Sequence, residues 1–578
     1  MADRSPDNLK VQSTQPAGLS MEKRLLLAFI LMGLVLFLMP YIYKPSAPPP
    51  KSTQPAKPQP QAQQVEEPKP RAPAATPAST GQVSASKEET FIVETDLYRI
   101  VFSNRGAVVR SWVLKRYKDN AGKSLELVSP AGSAKTGFPF SFEFPAGKGP
   151  ADLKNALFAA QPAADGLGVK YEFSDGRVVA RKNFLFQKNR YLAELTSSVV
   201  ADGKPVPHVL TWRGGFGDVG GFNHPGTLHS LWFDVSANKL VVEQAKIAKN
   251  GPVSSFGAYS FAGIGDSYFT AVVLPSGQSP FEVRTFSDQV SPTAGAAEVA
   301  FLGVGVGGSG ENRFSLFVGP KDIDVLRSVN PKLEQVVDFG WFSIIAKPLF
   351  LSLNWVSNRW VHDYGWSIVV VTVIINFLLL PLKYTSLKSM KKMQLLQPQI
   401  AAINEKYKGI GLRDPRKAEQ NQEVMELYKK HGVNPMGGCM PMILQIPFFF
   451  AFYKVLTVAI EMRGAKWLWV TDLSQPEHWW TVNGFDIRLL PIIMLVTQFI
   501  MQKMTPSTTA DPTQQRMMLM MPLVMGFMFY GMSSGLVLYW MTGNVVGIAQ
   551  QWFFNRGAAP LPAPAPAPKA KTKRTART

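Results

Sequence analysis

The sequence predicts a polytopic α-helical membrane protein with six spans and a large all-β domain outside the bilayer. Three observations lead there. Hydrophobic residues make up 46% of the 578, gathered in a few long runs, and charged residues only 18%, below the usual quarter. The stretch from Phe91 to Val337 is built instead of short β-branched and aromatic segments. The net charge of +20, from 61 Lys+Arg against 41 Asp+Glu, collects in segments that flank the runs. Disorder of the whole chain is excluded by the apolar content, and a single soluble globule by its clustering. The one cysteine, Cys439, excludes an intrachain disulfide and a Cys-based metal centre.

The first run, Leu25 to Tyr43, is 19 residues long, just enough to cross the hydrocarbon. Lys23 and Arg24 precede it, but it is longer than a signal h-region and no small-x-small site closes it, so an uncleaved anchor is expected after a cytoplasmic segment 1–24. Residues 44–90 are Pro, Ala, Gln, Ser and Lys with almost nothing to bury, an extended tether.

From Phe91 to Val337, segments such as FIVETDLYRIVFSN and YLAELTSSVV alternate with Gly, Asn, Asp and Pro turns, as in an antiparallel sandwich. His208, His224 and His229 have no fixed spacing to carboxylates and are expected to be structural. The run Gly303–Gly310 lacks the βαβ context of a dinucleotide loop. No metal or cofactor site is expected.

In the region 338–364, Leu349, Leu353, Val356 and Trp360 share one helical face, and the helix is too short and polar to span, so it is expected to lie in the interface plane. Five spans follow at 365–382, 439–460, 489–504, 517–532 and 536–554, the last two joined only by Ser533-Ser534-Gly535. Basic residues crowd the segment 383–438 and the tail 555–578, whereas the Trp-rich loop 461–488 is near neutral and 505–516 is short. The positive-inside rule then puts both termini in the cytoplasm and the β domain outside. This basic charge is accounted for by topology, and no specific nucleic-acid recognition is expected.

Polar residues inside the spans are the candidate site. Asn376 lies seven residues from Lys383, Gln445 six from Cys439, Gln498 five from Lys503 and Gln550 six from Arg556, one level in the cytoplasmic half at the helical rise. Asn544 sits deeper. Amides in hydrocarbon must meet one another or water. Two readings satisfy them, interhelical bonding and a wet hollow. The shortness of the 489–504 and 517–532 spans, 16 residues each, favours the hollow, because short helices thin the bilayer. Lys454 is close enough to the outer surface to snorkel.

The cytoplasmic loop reads as a basic helical hairpin. Met393, Leu396, Ile400, Ile403 and Tyr407 recur at 3-4-3-4 spacing, and Asp414 caps a second helix with Pro415 in its first position. Lys391 and Lys392 lie on the first helix and are candidates for docking a ribosome or nascent chain. The fifth span is rich in methionine (Met517, Met518, Met520, Met521, Met525, Met528, Met532), a surface able to accept unrelated apolar partners.

Four stretches, PLKYTSLKSMKKMQLLQPQI (381–400), VNPMGGCMPMILQIPFFFAFYKVL (433–456), KMTPSTTADPTQQRMM (503–518) and GLVLYWMTGNVVGIAQQ (535–551), resemble the YidC-type membrane protein insertases of Gram-negative inner membranes. ETDLYRIVFSNRGA in the β region is a weaker match. The resemblance implies a five-helix insertase core, a periplasmic β-supersandwich and a polar groove open to cytoplasm and lipid. It also implies a location in the bacterial inner membrane, nascent membrane proteins as clients, and work alone or beside the Sec translocon. By the same resemblance Thr372 matches a groove threonine, and Trp540 stands where the family often has tyrosine. Asn376 stands where it commonly has arginine, so a neutral amide groove is expected here. The competing classes are a transporter or channel, which calls for mid-membrane ionisable residues or repeated halves, and a membrane-bound enzyme using a carboxylate–His pair in the β domain.

Overall fold

A computed structural model describes residues 81–556 apart from 120, 146, 148, 218–226, 278, 292–297, 309, 410–413, 415, 434–439, 483–484 and 506–511. The anchor at 25–43, most of the tether, His224, Cys439 and nearly all of the basic tail lie outside the described residues.

The β region is an antiparallel assembly. Its largest sheet has ten strands and its second five, and a four-stranded sheet (Thr90–Glu94, Tyr98–Ser103, Val108–Lys118, Ser124–Glu126) accompanies them. The large sheet runs in the order Lys239–Glu243, His229–Asp234, Tyr259–Gly265, Phe269–Pro275, Glu311–Pro320, Leu192–Ala201, Val178–Phe186, Gly168–Ser174 and Ala159–Pro162, with Lys204–Pro205 beside Leu192–Ala201. One continuous core of inward residues, Phe184, Leu195, Phe269 and Leu316 with Leu210, Val283 and Val304 opposite, joins the sheets, as alternation in a sandwich requires. Two short helices, α1 (Pro130–Thr136) and α2 (Ile323–Val329), complete the domain.

Gly303 to Gly308 of the glycine run lie on the strand Val299–Gly308. A Cβ at Gly307 would stand 2.2 Å from the carbonyl oxygen of His208 on the neighbouring strand, so close strand approach, not ligand binding, accounts for the glycine there.

The tether ends earlier than expected. Val83 exchanges backbone hydrogen bonds of 2.9 and 2.8 Å with Ser174, and Glu88 pairs with Arg105 at 2.8 Å and Arg110 at 3.0 Å. These partners are distant in sequence, so residues 81–90 belong to the folded domain.

His208 is fully buried between the sheets. Asn312 Nδ2 donates to its Nε2 at 2.9 Å, and its Nδ1 lies 3.0 Å from the carbonyl oxygen of Val206. An amide nitrogen only donates and a carbonyl only accepts, so the ring is neutral with its proton on Nδ1. Burial pushes its pKa from 6.5 down to about 4. The unfolded chain therefore binds a proton that the folded one refuses, and the stability contributed by this group, present above pH 6.5, is lost as pH falls toward 4. The loss is about 3 kcal/mol. His208→Gln is expected to flatten the fall of the urea midpoint between those pH values, and an unchanged slope would show that other groups set it.

After the β region come α3 (Ser343–Val356), α4 (Tyr364–Leu378), α5 (Leu380–Lys406), α6 (Arg416–Lys430), α7 (Met440–Val458), α8 (Leu489–Met504), α9 (Pro512–Tyr530) and α10 (Ser534–Arg556). α3 is extended by a π-helical turn to Val361, and the chain then bends by 115° into α4 at His362, whose φ is 56°. Among the described residues no single helix is long and apolar enough to cross a membrane, though this bent pair qualifies together. Prolines at 447 and 522 lie inside α7 and α9, which continue through them.

The face of α3 expected from sequence, Leu349, Leu353 and Val356, is buried, with α7 packed against the helix. Trp360 is exposed, as are Ile344, Leu351 and Trp355. The helix thus has two apolar faces, one turned to protein and one uncovered.

The loop between α7 and α8 reaches the β domain. Arg463 Nη2 donates to the carbonyl of Lys118 at 3.0 Å, and its guanidinium lies 5.5 Å from the ring of Tyr268. The same loop covers the start of α10, where Ser534 N and Gly535 N donate to Gln475 O and Leu473 O at 2.7 and 2.9 Å. A Cβ at Gly535 would lie 2.8 Å from Leu456 Cδ2 and 3.0 Å from Leu473 O, so a larger residue there would press on both. The connection between α9 and α10 is accordingly Gly531–Ser533, two residues before the expected position.

Candidate functional site

Thr372 and Asn376 are buried one turn apart on α4. Thr372 Oγ1 donates to Ile368 O at 2.6 Å and Asn376 Nδ2 to Thr372 O at 2.8 Å, so both side chains are partly satisfied by their own helix. The remaining acceptor, Asn376 Oδ1, is taken by Lys383 Nζ at 2.6 Å. The half-buried Lys383 side chain thus folds back two turns and brings a cation to Asn376. Gln550 Nε2 on α10 donates to the backbone carbonyl of Asn376 at 3.4 Å.

The other amides also lean on α10. Trp540 Nε1 donates to Gln498 Oε1 on α8 at 3.1 Å. Asn544 Nδ2 lies 3.4 Å from both Met494 O and Thr497 Oγ1, and Gln551 Nε2 donates to Thr505 Oγ1 at 3.1 Å. Gln445 on α7 hydrogen-bonds Tyr539, and its Nε2 is the nearest atom to where a Cβ on Gly543 would be, at 3.9 Å. Half-exposed Gln445 thus faces α10 at the level of Gly543, within van der Waals reach of a side chain there.

The predicted residues therefore gather around one helix, in separate pairs rather than one ring. The expected neutral amide groove requires correction. Lys383 supplies a positive charge whose observed partner is an uncharged amide. The seven-residue spacing between Asn376 and Lys383 was the available signal, because two helical turns stack such side chains on one face. Gln551 lies beside Gln550 at the same depth in the sequence, whereas Thr497 and Thr505 were missed, because they depend on tertiary partners.

The hairpin formed by the distal part of α5 and by α6 is described by itself. Met393, Leu396, Ile400 and Tyr407 form its buried seam with Tyr428. Tyr407 Oη donates to Glu423 Oε1 at 2.8 Å, where Lys406 also pairs at 2.5 Å. Asp414 accepts from Arg416 N at 3.0 Å, and the Arg416 guanidinium beside it holds its carboxyl down at about 2. Lys392 is exposed and Lys391 half-buried.

Residues 355–560 match the family described as 60Kd inner membrane protein, and residues 90–352 match the YidC periplasmic domain. A protein of Pelobacter propionicus named membrane protein insertase YidC is 35% identical over 559 residues, covering 93% of this chain and 99% of that one. This chain belongs to the YidC family. A YidC of Syntrophus aciditrophicus, also named membrane protein insertase, is 33% identical over 93% of this chain and all of its own. A crystal structure titled as an active YidC insertase with its first transmembrane domain resolved is 18% identical, with a TM-score of 0.34 over 82% of this chain and 94% of that one. Within the YidC family the β region here is the periplasmic domain of an inner-membrane protein. The loop 461–488, bonded to that domain through Arg463, shares its side of the helices. The Thr505–Gln551 pair marks the opposite end, toward which Asn376, Gln445, Gln498 and Gln550 lie.

Proposed function

We propose that this chain moves nascent hydrophobic segments into the bacterial inner membrane through a polar groove open to the cytoplasm, without any chemical step. In this reading α4 and α7 to α10 are five spans and residues 25–43 the sixth, with both termini cytoplasmic. The groove is bordered by Thr372, Asn376, Gln445, Gln498, Trp540, Asn544 and Gln550. The observation that carries it is the Lys383 ammonium on Asn376 Oδ1, 2.6 Å away, with Gln550 of α10 on the carbonyl of the same asparagine. A charge at the bilayer centre costs from ~3 to above 10 kcal/mol. Polar groups and a cation held partway across reduce that barrier for the flank of a substrate, and burial of its apolar part in lipid drives release. The exposed side chains of Leu523, Val524 and Phe527 on α9 provide an apolar path alongside. The basic hairpin receives the nascent chain from the ribosome, and the protein acts alone or beside the Sec translocon.

A photocrosslinker at Gln445 or Trp540 is expected to capture a ribosome-stalled membrane protein, while one at Phe256 on the β domain is not. Absence of the adduct at both groove positions, with the stalled chain bound, would defeat the reading.

A further inference from the structure

Between α7 and α8 the outer loop ends in a small hairpin, Trp480–Val482 paired with Phe485–Ile487. Its base is pinned to two helices. Glu477 is buried and accepts from Trp469 Nε1 and from Leu490 N, both at 2.6 Å, capping the start of α8. Arg488 donates to the carbonyl of Tyr530 at the end of α9, and Tyr530 Oη donates to the carbonyl of Asp486. The Asp486 carboxylate accepts from Thr481 Oγ1 at 2.8 Å, with His478 Nδ1 at 3.3 Å. The polar groups at the base are thus bonded to one another and to the helices, while the aromatic edge faces outward. Trp479 is 52% exposed and Trp480 66%. A mobile loop could fold such rings away from water; a pinned one holds them where they meet something apolar.

The position in the chain says what that is. The hairpin runs directly into α8 at Leu489, on the side of the periplasmic domain. α8 has 16 residues, or ~24 Å of helix against ~30 Å of hydrocarbon. Indoles at a span's end settle at the headgroup–acyl boundary. We propose that the Trp479–Trp480 edge is a lipid-contact wedge in the outer leaflet, drawing the outer membrane surface inward over the short α8. This rests on the reading of α8 as a span given above.

The test uses the full chain with Cys439→Ser, a nitroxide on Trp480→Cys, and vesicles of phosphatidylethanolamine and phosphatidylglycerol. The label is expected to be more accessible to oxygen than to a water-soluble nickel chelate, unlike a label on Phe256→Cys. Greater nickel accessibility would overturn the proposal, and shielding from both reagents would mark a protein contact and overturn it too. This reading does not depend on insertion activity, so it can fail while the insertase reading stands. The double variant W479S/W480S is expected to insert substrate roughly threefold to tenfold more slowly than the unaltered chain in long-acyl-chain vesicles and equally in short-chain ones. Equal loss in both would remove the thinning role.

Discussion

Lys383→Met is expected to slow insertion of a segment with an acidic translocated flank by about tenfold or more, while a segment with Asn in place of each Asp is little affected. The ammonium sits on Asn376 Oδ1 at 2.6 Å and has only to exchange that amide for a carboxylate. Two opposite charges about 4 Å apart attract by roughly 4 kcal/mol at an effective dielectric near 20, and desolvation of both leaves a fraction of that. About 1.4 kcal/mol is a factor of ten in rate. Lys383→Arg keeps the charge and is expected to preserve the preference. Asn376→Leu removes the resting partner and leaves the charge, so discrimination survives it better than Lys383→Met. The measurement is paired insertion of Asp and Asn substrates into proteoliposomes; equal slowing of both by Lys383→Met would mean that the lysine only shapes the helix.

The second large effect concerns stability. Lys182 is buried in the strand Val178–Phe186, and its ammonium donates to Ala107 O at 2.8 Å and Phe140 O at 2.6 Å, with Gly106 O at 3.4 Å. It also lies 4.1 Å from the Phe142 ring. One side chain thus ties three chain segments that the strand ladders leave separate. Lys182→Ala strands these carbonyls and opens a cavity, with an expected loss of about 3–5 kcal/mol. Lys182→Met refills most of the volume without the bonds and should fall between. Urea unfolding of the full chain in detergent, followed through the β domain, checks both; a loss below about 1 kcal/mol would show that water replaces the ammonium.

The helices were the most legible part of the sequence. α7 to α10 lie within five residues of the expected boundaries because each is a continuous apolar run ended by charge, glycine or serine. Asp414 was readable as a cap by its place before Pro415. Residues 81–90 were not legible, because Val83 and Glu88 acquire their role from Ser174 and Arg105 across the fold. The candidate amides were found by depth, which sequence spacing gives directly. Their partners were not found, because Trp540–Gln498 and Asn544–Thr497 depend on which faces of two helices meet. Lys383 was read only as a boundary marker: a charge in sequence belongs to water until the fold shows where its long side chain bends.

The periplasmic domain is fastened to the helices at separated points. Arg463 grips the carbonyl of Lys118, Tyr268 bonds Ser474, and Glu334 pairs with Lys347 on α3. Ile460, just past α7, is counted in the hydrophobic core of the domain itself. Any force on this domain is therefore passed through Ile460 to the end of α7, and along that helix to Gln445.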